Sequence, residues 1–364
     1  MEVTPGNTEA VEAWDGVLFD RFTEFRKVMV EGLGAHGDEG LRLLSPSPGE
    51  RVIDLGCGFG DTTQQIAGMV GPGGEAFGVD ASARFVETAS REAEEAGLTN
   101  CSFAVTDIQA EVPGRDFDAA FSRMGTMFFA NPVVAMRNVG QALRPGGRLC
   151  LVVWRAKSEN PYFYRAEEIA SRWLTHPDQT DEPTCGPGPF SMSNADTTSG
   201  ILKSAGFEGI SLTRCDKPIL LGVSLDEAVA MVTSIGPAGE LIRVNEERGA
   251  EVRPEIEAAI SEEFARQATD DGVWGEASTW LVSALLVWVF GAATLLLQDD
   301  RFITWKATVF YWLVAVVPEP PGVPATPGVA MGVLALVGLR ASPDNAARKV
   351  TASLVASAFF RYTT

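Results

Sequence analysis

Residues Arg51 to Thr63 read RVIDLGCGFGDTT, and 20 positions after Gly60, the last glycine of that run, Asp80 closes the stretch EAFGVD. Val52, Ile53 and Leu55 around Asp54 have the branched, apolar character of a central parallel strand buried on both faces. Gly56, Gly58 and Gly60 follow, alternating with Cys57 and Phe59. Glycine takes backbone angles closed to other residues and lets a ligand lie against the main chain. Thr62 to Val70 has helical spacing, so the turn presents free backbone N–H groups at a helix start. An acid one strand later stands where a ribose would lie.

Only Phe59 separates Gly58 from Gly60, whereas the dinucleotide fingerprint keeps two residues between its second and third glycines. Asp54 also stands two residues before the first glycine. A carboxylate there suits a cationic ligand group, or ordered water, better than a pyrophosphate. S-adenosylmethionine (SAM) carries an ammonium and a sulfonium, so such a site opposes charge with charge. Asp80 would then accept hydrogen bonds from the ribose hydroxyls. Three glycines can also build nothing more than a tight turn, and the rest of the sheet has to separate the two readings.

Ser102 to Ile108 (SFAVTDI) reads as a third strand ending in Thr106-Asp107, with Asp107 placed for an adenine amine and Ile108 for the ring. Asp116 to Phe121 makes a fourth strand ending at Ser122-Arg123, and Val133 to Leu143 a helix. A turn at Arg144 to Gly147 then leads into a fifth strand, Arg148 to Trp154. Strands alternating with helices imply right-handed crossovers and a parallel sheet. Ligands of such sheets bind beyond the carboxyl ends of the strands, where all these residues lie.

Here the chain resembles the class I SAM-dependent methyltransferases, in the branch related to quinone C-methyltransferases and small-molecule methyltransferases. VIDLGCGFGDTT, GVDAS, VTDI, FDAAFSRMGTMFF and LRPGGRLCLVVWR carry the resemblance, which continues through 186–212 and 271–284 and covers roughly 10–284. It implies an α/β, Rossmann-like, seven-stranded sheet with helices on both faces. Residues 1–284 form the enzyme domain: a cap helix at about 8–45, a cofactor core at 46–155, then acceptor-side insertions and the last strands at 156–284. The cofactor implied is SAM. The binding residues expected are Trp14, Asp54, Gly56, Cys57, Gly58, Gly60, Asp80, Ala81, Asp107, Ile108, Ser122 and Arg123. Trp14 reads equally as a lid over the cofactor and as a packing anchor.

Methyl transfer is an in-line displacement at a carbon the sulfonium already activates, so much of the rate comes from positioning and the exclusion of water. This predicts a dry pocket with few titratable groups. The chain has two histidines, His36 and His176, neither in a motif, and both read first as surface residues. Were the acceptor a phenol or an enol, a base would help, and His176 is then the candidate catalytic residue. Tyr162, Phe163, Tyr164 and Trp173 suit a flat or hydrophobic acceptor, or ordinary helix packing. Met124 to Phe129 would lie under the transferring methyl group, or in the core.

The formal charge of −19, from 29 basic and 48 acidic residues, repels phosphate backbones, so a small-molecule acceptor is expected and nucleic acid is not. The five cysteines are scattered without a C-x-x-C pair, as expected of reduced thiols in a cytoplasm and not of metal or disulfide chemistry. The acidic N-terminus, MEVTPGNTEAVEAWD, lacks the apolar core of a secretory signal.

Composition changes near residue 277. Ala277 to Gln298 are 22 uncharged residues in a row, and four of the eight tryptophans fall within 280–312. Residues 285–317 resemble part of the intracellular septation protein A family of inner-membrane proteins. They are a candidate for a transmembrane helix or for membrane association. After Val317 the resemblance stops in a proline-rich, disorder-like run; a gene fusion or a shifted reading frame would explain both the match and its loss. The methyltransferase pattern needs Ser278 to Ala284 as its last antiparallel strand, and a span would need the same residues in a helix. If the strand keeps them, the apolar residues left before Gln298 are too few to cross a bilayer. The strand is expected to win, leaving residues 285–364 as a hydrophobic helical tail. The alternatives are an NAD(P)-binding Rossmann oxidoreductase, and a membrane or septation-related protein with an inactive methyltransferase-like domain.

Overall fold

The computed structural model describes residues 3–175 and 188–286. His176, Cys185 and everything beyond 286 lie outside the described residues, and so does nearly all of the expected tail. Three helices lead in: α1 (Thr8–Asp15), α2 (Val17–Glu24) and α3 (Arg26–Leu44). Then β1 (Arg51–Leu55), α4 (Asp61–Val70), β2 (Glu75–Asp80), α5 (Ala83–Glu95), β3 (Cys101–Val105), β4 (Phe117–Arg123), α6 (Pro132–Ala142) and β5 (Leu143–Trp154) build the parallel half. After α7 (Pro161–Ala170) and α8 (Ala195–Ser204) comes β6 (Phe207–Gly222). The helices α9 (Leu225–Ser234), α10 (Pro237–Val244) and α11 (Glu246–Phe264) precede β7 (Ala268–Thr269) and β8 (Gly272–Leu286).

The strands run β3-β2-β1-β4-β5-β8-β6, with the two-residue β7 paired to β8 beside this seven-strand path. β8 is antiparallel to both its neighbours. Period-two alternation explains the apolar runs. Val52, Ala119, Phe121, Cys150 and Val152 cluster with Leu41 of α3 and Ile66 of α4. Ile53, Leu55, Ala120, Leu149 and Leu151 cluster with residues of α6, α7 and α8. Both faces are therefore covered, and the strands need no polar side.

Several expectations shift. β3 ends at Val105, so Thr106 to Ile108 stand beyond the strand and not within it. Arg144 to Gly147, expected as a turn, is a bulge inside β5: pairing with β4 breaks after Phe117↔Leu143 and resumes at Ala119↔Arg148. The single cap helix is three helices, broken at Gly16 and Phe25. His36 is not on the surface; it is fully buried, with Nδ1 2.9 Å from the Thr279 hydroxyl, and burial pushes its pKa down. Its helix reaches the sheet through small residues: a Cβ on Gly32 would stand 2.7 Å from the Leu220 carbonyl oxygen, and one on Gly40 2.6 Å from Val152.

β8 keeps Ser278 to Ala284, as expected, and goes on to Leu286. No helix among the described residues is long and apolar enough to cross a membrane. Leu285 pairs with Arg148 and Leu286 with Phe207, and the Leu286 side chain is buried. A chain ended after Ala284 is therefore expected to lose about 2–4 kcal/mol against one ended after residue 288, from one buried leucine and its ladder bonds. Urea midpoints of the two truncations measure this, and equal midpoints would contradict the assigned strand end.

Candidate active site

A cavity of about 690 Å³ opens at the carboxyl ends of β1, β2, β4 and β5, beneath α1, α2 and α3. The glycine loop forms its floor. Gly56 and Cys57 donate their N–H groups to the Val79 carbonyl at 2.8 and 3.1 Å, which ties the loop to the end of β2. Gly58 N–H donates to Asp80 Oδ2 at 3.0 Å, and Ser82 N–H to Asp80 Oδ1 at 3.0 Å. One carboxylate thus fixes the loop and the start of α5 together. An ionised carboxylate has about four lone-pair sites, so each oxygen keeps one to offer a ligand. Burial pushes the Asp80 acid up, and the N–H groups of Ser82 and Gly58 oppose that.

Ten of the twelve expected residues reach the cavity wall: Trp14, Asp54, Gly56, Cys57, Gly58, Asp80, Ala81, Asp107, Ile108 and Arg123. Gly60 and Ser122 stand behind it. Gly60 caps α4 with φ of 79°, and a Cβ there would meet Phe103 at 2.8 Å, so protein and not ligand crowds it. The Ser122 hydroxyl donates to the Leu55 carbonyl at 2.7 Å, turning inward to join β4 to β1. Asp107 accepts from Gln109 N–H through Oδ1 and from Thr4 N–H through Oδ2, both at 3.0 Å. The N-terminal segment therefore touches the acid expected at the adenine.

Asp54 is buried and accepts the Thr63 hydroxyl at 2.7 Å. Desolvation raises its pKa from 3.8 to about 6, against the pull of the Thr63 hydrogen bond and the Arg123 charge. Ionising Asp54 therefore costs the folded state stability as pH rises from 3.8 to about 6. A cationic ligand reverses that preference, because it needs the carboxylate. Affinity for S-adenosylhomocysteine, which keeps the ammonium, is expected to rise as pH climbs through about 6 and then level off. Asp54→Asn removes the step. Calorimetry across that range in both proteins checks it, and a step that survives in Asp54→Asn would contradict the assignment.

Sequence reasoning missed three contributors. Phe59, between two of the glycines, packs on Phe85 with ring centroids 4.7 Å apart, and the Arg26 guanidinium lies 4.4 Å from its centroid. Arg26 in turn pairs with Asp61 and Glu92. Asp15, at the end of α1, accepts from the Ser82 hydroxyl at 2.7 Å and Arg84 N–H at 2.9 Å, so α1 is fastened to the start of α5. These contacts hold its acid below the usual range, the Arg84 N–H most strongly. They join segments tens of residues apart, and no local pattern announces them. Trp14 packs edge-on against Phe128 and Phe22 at 4.9 and 5.2 Å, as a packing anchor would, and it also lines the cavity.

The cavity wall also carries apolar and aromatic side chains, Leu33, Trp154, Tyr162, Phe190, Leu220 and Met231 among them, beside the Lys157–Glu167 pair. Met124, Phe128 and Phe129 face the cavity as well, whereas Tyr164 is exposed and Trp173 packs against the core. No histidine is among the described residues of the wall. The four described cysteines carry free thiols, and no cluster of metal-ligating side chains occurs among the described residues.

A family model described as a methyltransferase domain matches residues 46–188, and one for intracellular septation protein A matches 276–318. The second match begins inside β8, so residues 276–286 are sheet here. Aklanonic acid methyltransferase DauC of Streptomyces sp. (strain C5) is 31% identical over 160 residues, 43% of this chain and 67% of that one. The ubiquinone/menaquinone biosynthesis C-methyltransferase UbiE of Pseudomonas aeruginosa is 31% identical over 122 residues, 33% of this chain and 48% of its own length. The chain thus spans about two thirds of the first relative and about half of the second. The YcgJ protein of Bacillus subtilis aligns at a TM-score of 0.47 and 17% identity, over 70% of this chain and 99% of that one. The chain belongs to the SAM-dependent methyltransferases. Its methyl donor is S-adenosylmethionine.

Proposed function

We propose that the protein transfers a methyl group to a small, largely apolar acceptor of aromatic, quinone-like or lipid-like character. One observation carries this reading: Gly58 and Asp80 of the polar cradle and apolar residues such as Trp154 and Leu220 line one and the same cavity. A ligand seated on the cradle and one among the apolar side chains would meet inside it, away from bulk water.

Bound there, the donor supplies a methyl group already activated by its sulfonium. The chain's residues do the holding. Asp80 accepts the ribose hydroxyls, Asp107 the adenine amine, and Ile108 covers the ring. Asp54 sets a negative charge beside the ammonium, and Trp14 covers the site from α1. The apolar wall keeps water from the nucleophile and aligns it with the methyl carbon, which is worth several orders of magnitude in rate. The printed names of the two relatives, one with an acid as its substrate and one in quinone synthesis, support an acceptor of this class.

The test is incubation of the full chain with SAM and a panel of hydroxyaromatics, aromatic acids, quinols and fatty acids. Formation of S-adenosylhomocysteine with one methylated product supports the reading. Donor turnover with none of these, but with a nucleic acid or a protein, would overturn it.

A further inference from the structure

Six carboxylates stand on the cavity wall among the described residues. Asp54, Asp80 and Asp107 belong to the donor's side, Asp61 is paired with Arg26, and Glu240 is exposed and paired with Arg243. Glu167 is the sixth. It is buried, and its Oε2 accepts from the ammonium of Lys157, a half-buried residue that lines the cavity as well. An ammonium has three N–H donors, and among the described residues Lys157 gives away only this one. Apolar side chains of similar size would serve stability as well as such a pair or better, so the fold alone does not account for it.

Both partners sit on anchored elements. Lys157 lies between β5 and α7 in a segment stitched to β8: Arg155 N–H donates to the Ser278 carbonyl at 3.1 Å, and Asn160 Oδ1 accepts Ser278 N–H at 2.9 Å. Glu167 belongs to α7, which is docked by the Tyr162 ring against Trp154 at 6.2 Å. The cradle occupies the ends of β2 and β1, and β4 and then β5 follow in the sheet. The pair therefore stands on the side of the cavity that the cradle leaves to the acceptor. Tyr162 is on the wall too, but burial pushes its hydroxyl well above the usual phenol range, so it stays protonated near neutral pH.

We propose that Glu167 is the base for transfer to an acceptor hydroxyl, that of a phenol or an enol, and that Lys157 holds the oxygen of that hydroxyl. A hydroxyl answers both members of the pair, because its oxygen accepts from the ammonium while its proton is donated to the carboxylate. A carboxylate acceptor would instead lie against the charge of Glu167. As the oxygen bonds to the methyl carbon, the carbon–sulfur bond breaks and its electron pair stays on sulfur, giving S-adenosylhomocysteine. The hydroxyl proton passes to Glu167, which returns it to water once the product has left. The proposal rests on the reading of this cavity as the site of methyl transfer to a small molecule.

The experiment compares the full chain as wild type, E167Q and the double variant K157M/E167L. Initial rates are taken with SAM and hydroxyaromatics graded in acidity from phenol to para-nitrophenol, alongside calorimetry with S-adenosylhomocysteine and thermal unfolding. Both variants are expected to bind S-adenosylhomocysteine as wild type does. E167Q should lose about 100-fold or more in kcat with phenol, the usual weight of a general base, and far less with para-nitrophenol, which ionises unaided. The double variant should melt no lower than wild type, be at least as slow as E167Q, and raise KM for phenol by about 10-fold through the lost contact to Lys157. Wild-type kcat in either variant, or an equal loss across the acidity series, overturns the assignment of Glu167. Wild-type transfer to carbon or to acids alone overturns the hydroxyl acceptor and leaves methyl transfer to a small molecule standing. Turnover with no small molecule overturns both.

Discussion

Gly58→Val is expected to abolish cofactor binding while leaving the protein folded, and Gly56→Val to do the reverse damage first. Both glycines have left-handed angles, φ of 53° and 67°. A Cβ on Gly58 meets no protein atom within 4 Å, in a residue that lines the cavity, so a side chain there takes ligand space. The backbone penalty alone is about 1–2 kcal/mol. A Cβ on Gly56 would instead stand 2.9 Å from Gly125 Cα, and backbone cannot swing aside. Steric and conformational costs then add to roughly 3 kcal/mol or more. For a chain of 364 residues that lowers the melting temperature by about 4 °C or more. Paired melting curves and titrations separate the two. Equal loss of stability in both variants, with binding kept in Gly58→Val, would show that this loop does not face the donor.

Asp80→Ala is expected to weaken S-adenosylhomocysteine by roughly 100-fold or more. Two contributions add: the hydrogen bonds to a ribose, each about 1.5–3 kcal/mol with a charged acceptor, and loss of the clamp that holds Gly58 and Ser82. Asp80→Asn separates them, because one amide oxygen can still accept a single N–H while its NH2 faces the other donor. The order of affinity expected is wild type, then Asn, then Ala, measured by calorimetry. Wild-type affinity in Asp80→Asn would mean that the side chain shapes the loop without touching the ligand.

The strand-turn-helix from Arg51 to Val70 and the acid at Asp80 are legible in the sequence because both follow from local rules: apolar runs, left-handed glycines and one strand length. The antiparallel β8 is legible for the same reason, and the contest over Ser278 to Ala284 goes to the strand because β5 and β6 both offer it ladder partners. What stays hidden depends on contacts between distant segments. His36 looks like a surface residue until the small residues of α3 bring that helix onto β6 and β8. Ser122 and Arg123 are neighbours, yet the pleat turns one inward to Leu55 and leaves the other at the cavity. The Asp15 contact with Ser82 and Arg84 spans almost 70 residues and leaves no periodic trace.

The most direct test of the whole account is a crystal structure of the full chain grown with S-adenosylhomocysteine. The expected result places the ribose on Asp80, with the ammonium beside Asp54 and the sulfur facing the apolar side chains of the wall. Density for the ligand anywhere else, or tight binding of NADH with none of S-adenosylhomocysteine, would contradict it.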